Sequence, residues 1–194
     1  MIAQLTGNFL QMSPTRVVVE TNGVGYEVNI SLHTFSAISN ATSGTLFTFL
    51  KISEEAFTLY GFAEQAEKEL FIKLISVSGV GAATARMMLS SLKPSELQQA
   101  ITTSNVKLLE SIKGIGKKTA ERIALELRDK LGILAAGSGS LNALHNSPES
   151  EALEGLIALG IGKTIAEQAI KKVNTTKTET LSVEAIIKLA LKFL

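Results

Sequence analysis

Residues 74–85 read Leu74-Ile75-Ser76-Val77-Ser78-Gly79-Val80-Gly81-Ala82-Ala83-Thr84-Ala85, and residues 109–120 read Leu109-Glu110-Ser111-Ile112-Lys113-Gly114-Ile115-Gly116-Lys117-Lys118-Thr119-Ala120. The second stretch starts 35 positions after the first, and Leu, Ser, both Gly, Thr and Ala fall at matching places. Each copy reads as a short helix, a Gly-apolar-Gly turn and another helix. The glycines permit a tight bend and a close backbone approach. The apolar residue between them, Val80 or Ile115, can tuck into the helix pair. The first amides of the following helix have no intrahelical acceptor and point outward. With the helix dipole they form an anion site sized for a phosphate. Such a site reads a nucleic-acid backbone without reading bases. Two helix C-caps with no ligand are the plainer reading of the same residues. Repetition at fixed spacing favours the phosphate, as do Lys117, Lys118 and Arg122 after the second turn. The first copy offers only Arg86, so its grip would rest mostly on backbone amides.

Residues 63–134, which contain both copies, keep a helical period. Leu70, Phe71, Leu74 and Ile75, then Ile101, Leu108, Leu109 and Ile112, then Ile123, Leu127, Leu131 and Leu134, recur at helix spacing. Four or five short helices are expected. Residues 1–62 have a different texture. Thr15-Arg16-Val17-Val18-Val19-Glu20 is β-branched, and Tyr26, Val28 and Ile30 alternate with Glu27 and Asn29. Asn22-Gly23 between them is a strong hairpin signal. Leu46–Leu50 and Phe57–Tyr60 suggest further strands. That number of strands in so short a segment predicts a small barrel or sandwich, and a five-stranded OB-type barrel fits the size. Phe47, Phe49 and Phe57 are expected in the barrel core rather than on a base-stacking surface. Residues 135–147 contain Gly137-Ser138-Gly139-Ser140 and read as a flexible linker. Residues 148–194 read as a three-helix bundle, with Ser147 as N-cap and Pro148 at the first helical position. The fold class is therefore α+β and multidomain, in the order barrel, tandem hairpin domain, linker and bundle.

Charge follows the same division. The 194 residues carry 19 Lys and Arg against 18 Asp and Glu, a net +1. That balance alone argues against a nucleic-acid partner. By segment, however, 1–62 is −2, 63–134 is +3 with eleven basic against eight acidic residues, and 135–194 is 0. Averaging hides a basic middle. Cysteine is absent, which excludes a disulfide scaffold, a thiolate metal site and a catalytic thiol. No apolar run approaches a membrane span and no signal-peptide pattern opens the chain, so a cytoplasmic protein is expected.

The repeat resembles the helix-hairpin-helix motif of DNA-binding proteins that ignore sequence. The resemblance extends along nearly the whole chain. Met1-Ile2-Ala3-Gln4-Leu5-Thr6-Gly7, Gly23-Val24-Gly25-Tyr26-Glu27-Val28, Leu59-Tyr60-Gly61-Phe62 and Gly114-Ile115-Gly116-Lys117-Lys118-Thr119-Ala120-Glu121-Arg122 follow in order. A linker and a small helical tail complete the pattern, which resembles the RuvA family of bacterial Holliday-junction-binding subunits. The resemblance implies a homotetramer, or paired tetramers, holding a four-way DNA junction without sequence preference. It implies backbone contacts from Gly79, Val80, Gly81, Gly114, Ile115, Gly116, Lys117, Lys118 and Arg122. It places an acidic pin at Glu54 and Glu55, whose plainer reading is a solvated hairpin tip. It implies docking of the hexameric RuvB ATPase on a UBA-like bundle at 148–194, with Leu156, Leu159 and Ile161 as contacts, and RuvC resolvase as a further partner. No cofactor is expected, because ATP belongs to the motor. Ala82 and Ala83 depart from the family, whose members often carry a basic residue there; Ile161 stands where an aromatic is common.

Three decoys are set aside. Gly160-Ile161-Gly162-Lys163-Thr164 hints at a phosphate loop, but the required glycine position holds Ile157 and no strand precedes it. Gly23-Val24-Gly25 copies the hairpin spelling but lies between strands. His33 and His145 lack ligand-spaced companions, so no metal site is expected. The alternative function is a helix-hairpin-helix repair enzyme, a glycosylase or nuclease, for which Asp129 is a weak catalytic candidate.

Overall fold

The β-branched run and its hairpin partner form as the sequence suggests. Strands β2 (Arg16–Thr21) and β3 (Val24–Ile30) pair antiparallel. Asn22 and Gly23 between them have φ of 49° and 84°, the two left-handed positions that a tight hairpin turn requires. The Glu20 carboxylate accepts the Gly23 N–H and the Asn8 side-chain amide, and these bonds hold its carboxyl below the ordinary value. Strand β1 (Gln4–Ser13) pairs with β2 and with β4 (Ser43–Ile52). Strand β5 (Phe57–Phe62) runs antiparallel to β4 and parallel to β3, closing a five-stranded barrel in the order β1-β2-β3-β5-β4. Leu5, Val17, Val19, Val28, Ile30, Leu46 and Leu59 fill it. Gly7 is required by packing, since a Cβ there would lie 1.9 Å from the Glu20 carbonyl oxygen.

Helix α1 (Leu32–Ile38) links β3 to β4. Its N-cap, Ser31, accepts the Thr34 N–H at 3.0 Å, and both hydroxyls donate to the carboxylate of Glu67 on helix α2 (Gln65–Ile75). Glu67 is fully buried, and burial pushes its carboxyl up. Helices α3 (Ala82–Ser91), α4 (Pro94–Thr102), α5 (Val106–Glu110) and α6 (Lys117–Gly137) complete the region. The barrel and these helices share apolar contacts. Phe71 of α2 meets Phe49, Tyr60 and Phe62 at ring-centre distances of 5.6, 5.1 and 4.9 Å. Phe49 thus faces the helices rather than the barrel interior that the sequence suggested, because it lies on the outer parity of β4. Phe57 is also outside the core, at 77% exposed. Phe47 is half-buried. Residue 62 therefore marks a change of period and not a break in packing.

This computed structural model describes residues 1–137, 147–176 and 181–193. They fall into two compact units, Met1–Ile133 and Leu134–Leu194. Helix α6 has 21 residues, longer than expected, and 135–137 are helical where a linker was expected. Ala135 and Ala136 are strong helix formers and carry the helix on until Gly137. The rest of that linker up to residue 146, with His145, lies outside the described residues.

The second unit holds helices α7 (Pro148–Ala158), α8 (Lys163–Thr176) and α9 (Val183–Ala190). Ser147 caps α7 as expected, its Oγ accepting the Ser150 N–H at 3.3 Å. Ala152, Leu156, Ala166, Ala169, Val173, Ile186 and Ala190 form its core. Among the described residues no helix is long and apolar enough to cross a membrane.

Candidate nucleic-acid interface

The two sequence copies fold alike. In the first, the turn after α2 runs through Ser76 and Val77, and the Val80 N–H bonds the Val77 carbonyl at 3.0 Å. In the second, the turn after α5 runs through Ser111 and Ile112, and the Ile115 N–H bonds the Ile112 carbonyl at 3.0 Å. Gly79 and Gly114 both have φ of 91°. Any other residue would be strained there by about 1–2 kcal/mol. Val80 and Ile115 are buried, each 5% exposed, so these two contribute backbone and packing rather than side-chain contact.

Gly81 and Gly116 have no such local reason. Gly81 has φ of −84°, and a Cβ on either glycine would meet nothing within 4 Å. The fold around them leaves an open face over the N-terminal amides of α3 and α6. The first intrahelical bonds from those turns are Ala85 N–H to Gly81 O and Ala120 N–H to Gly116 O, each 2.9 Å. The amides before Ala85 and Ala120 on each helix are therefore open to an outside acceptor.

Side chains distinguish the copies. Lys113, Lys117 and Lys118 are exposed around the second turn, and Lys117 and Lys118 make no ion pair among the described residues. The corresponding places in the first copy are Ser78, Ala82 and Ala83. Lys113 was overlooked in the sequence, though the 35-residue offset places it opposite Ser78. Arg86 is not free for the first turn, since its Nη1 donates to Asn29 Oδ1 at 2.8 Å and to the Thr15 carbonyl at 3.2 Å. It ties α3 to the barrel. Arg122 of the second copy donates to the Ser78 carbonyl at 3.0 Å and so bridges the two turns.

Matches to known families agree with this layout. The RuvA N terminal domain model matches residues 1–61, the SAM-like helix-hairpin-helix tandem matches 71–130, and the RuvA C-terminal domain matches 147–194. A protein of Christiangramia forsetii named Holliday junction branch migration complex subunit RuvA is 46% identical over 192 residues, 99% of each chain. Proteins of the same name from Cytophaga hutchinsonii and Bacteroides fragilis are 46% and 42% identical over 99% of each chain. The chain belongs to the RuvA family.

On this RuvA-family barrel, Glu54 and Glu55 sit at the exposed tip of the β4–β5 hairpin. The tip is closed by the Ser53 N–H and Ser53 Oγ, both donating to the Ala56 carbonyl at 3.0 Å. In the RuvA C-terminal bundle the three partner candidates separate. Leu159 is 64% exposed, Ile161 is half-buried against the bundle core, and Leu156 is 0% exposed. Leu156 is therefore a packing residue, on one inward stripe of α7 with buried Ala152 four residues before it, and it cannot face a partner. Exposed Ile157 and Ile165 lie close to Leu159 in sequence and were overlooked. The Gly160-Ile161-Gly162 turn closes α7 as a helix C-cap. Gly160 has φ of 89°, and the Ile161 N–H bonds Leu156 O at 3.1 Å. That bonding differs from the two hairpins of the first unit. Among the described residues no group of acidic or histidine side chains could hold a metal ion. Asp129 lies on α6 with its side chain outside the described residues.

Proposed function

We propose that this chain is the junction-binding subunit of a branch-migration complex. The observation that carries the reading is the pair of matched Gly-apolar-Gly turns, each followed by glycine where the fold itself does not need one. The missing side chains let an outside group come close at Gly81 and Gly116, and a DNA phosphate has the size and charge to use the open amides. The relatives' shared name supports a four-way junction as the DNA and the binding subunit over the repair enzyme.

In this reading four copies assemble around the junction, one per arm, singly or as paired tetramers. Gly79, Gly81, Gly114, Gly116, Lys117 and Lys118 hold phosphates. Arg122 fixes the spacing of the two turns and adds charge. Glu54 and Glu55 gather at the centre, where carboxylates repel phosphates and keep the crossing strands from settling. The RuvB ATPase docks on the bundle through the exposed Leu159 with Ile161, and supplies the ATP chemistry. RuvC resolvase is a further partner of the assembled junction, and the setting is the bacterial cytoplasm.

The test is binding to a four-way junction against linear duplex of equal length at moderate salt. Preference for the junction is the expected result, and equal affinity overturns the reading. Leu159→Asp should abolish stimulation of the motor while junction binding persists; full stimulation would remove the docking assignment.

A further inference from the structure

The β4–β5 hairpin is more than an acidic tip. Strand β1 pairs with β4 through Phe47, and strand β3 pairs with β5 from Leu59 onward. Beyond those points the two strands pair with each other alone, through Lys51↔Thr58 and Ile52↔Phe57. The hairpin therefore projects past the end of the barrel. Side chains alternate along a strand, so one face of the projection continues the barrel interior. Gly61 and Leu59 lie on that face, where Leu59 packs in the barrel core and a Cβ on Gly61 would meet Val28 and Leu46. Two residues further out the same face carries Phe57, with Ile52 directly across from it. There the covering strands have ended. Phe57 is 77% exposed and Ile52 68% exposed. An apolar cross-strand pair thus stands in solvent immediately below two carboxylates.

We propose that Phe57, backed by Ile52, is a stacking platform for an unpaired nucleobase at the junction crossover. The occupant follows from charge. Glu54 and Glu55 repel phosphate, so a strand passing the tip turns its backbone away and presents its bases. A base is flat, apolar on its faces and uncharged, and an aromatic ring accepts any of the four. The carboxylates and the ring divide the work. The acids keep phosphates off the centre, and the ring holds a base between leaving one partner and meeting the next. This rests on the proposed function, which brings the tip to the crossover.

The chain contains no tryptophan, so Phe57→Trp in the full-length protein gives a single indole reporter. Its emission should fall at least twofold on a four-way junction and stay within a tenth of its free value on linear duplex. Phe57→Ala should cut the preference for junction over duplex about tenfold, the scale of lost base–aromatic stacking. Unquenched emission on a junction that is still bound overturns the platform and leaves the proposed function standing. Loss of all junction preference by the unsubstituted protein overturns both. If Phe57→Ala instead lowers the assembly size on a sizing column, the pair is a contact between copies of this chain, and the platform is wrong.

Discussion

The two hairpins share a backbone and differ in what surrounds it. Both carry the φ of 91°, the buried apolar residue and the open second glycine. The first is braced. Arg86 ties its outgoing helix to Asn29 and Thr15, and buried Glu67 ties its incoming helix to the N-terminus of α1. The second is charged, with Lys113, Lys117 and Lys118 exposed around it. In the proposed function one motif would therefore supply a fixed set of amides and the other long-range attraction. Arg122 to Ser78 O joins them.

The largest effect should come from stripping the charged turn. Lys117→Ala with Lys118→Ala should weaken junction binding by about tenfold or more. It should also flatten the dependence of log K on log salt by about 0.9 for each phosphate that is no longer neutralised. An unchanged slope would mean that these lysines do not meet phosphate. Next is Gly81→Ala at the braced turn. The methyl group enters open space at an ordinary φ, but Gly81 is the N-cap of α3, where alanine is the poorer residue, so a melting curve should show a small loss of about 0.5–1 kcal/mol with the fold intact. Binding should fall about fivefold, the scale of one ordinary hydrogen bond. The matching Gly116→Ala should lose less, because lysines compensate; a greater loss there would reverse the division of labour.

Added charge should make the first hairpin behave more like the second. Ala83 is exposed at the place matching Lys118, so Ala83→Lys should tighten binding and steepen the salt slope by about 0.9. No change in slope would show that the first hairpin does not approach phosphate closely. The smallest effect concerns the brace itself. Burial lifts the Glu67 carboxyl above its ordinary 4.5, so the folded chain holds that proton more tightly than the unfolded chain. Its stabilising contribution is full below about pH 4.5 and is lost as pH rises through the folded value. Glu67→Gln removes this titration. Urea unfolding between about pH 4 and pH 7 should show the wild type losing stability relative to the variant. A difference independent of pH would mean that the carboxyl is not perturbed.

Much of this architecture is legible in the residues. The 35-residue repeat locates both turns, Asn22-Gly23 locates a hairpin, and Ser147-Pro148 locates the start of α7. Strand β1 and helix α1 are not legible individually. Gly7 and Asn8 blur the alternation of β1, and the reason for Gly7 is the Glu20 carbonyl of another strand. The site is legible in its backbone and in Lys117 and Lys118. It is less so in Arg86, Arg122, Phe57 and Leu156, whose roles depend on what lies opposite them.

Local sequence sets most of the elements, their order and the two Gly-apolar-Gly turns, because φ preference, capping and periodicity act within a few residues. Tertiary structure decided which cations remain free. Arg86 and Lys117 look alike in the chain, but one spends its charge on barrel oxygens and the other faces solvent. It also decided which phenylalanines are core. Phe49 lies on the outer face of β4 and is covered by Phe71 of α2, whereas Phe57 lies on the inner face beyond the ends of the covering strands. Burial is set by distant segments, and a local pattern carries no record of where they end.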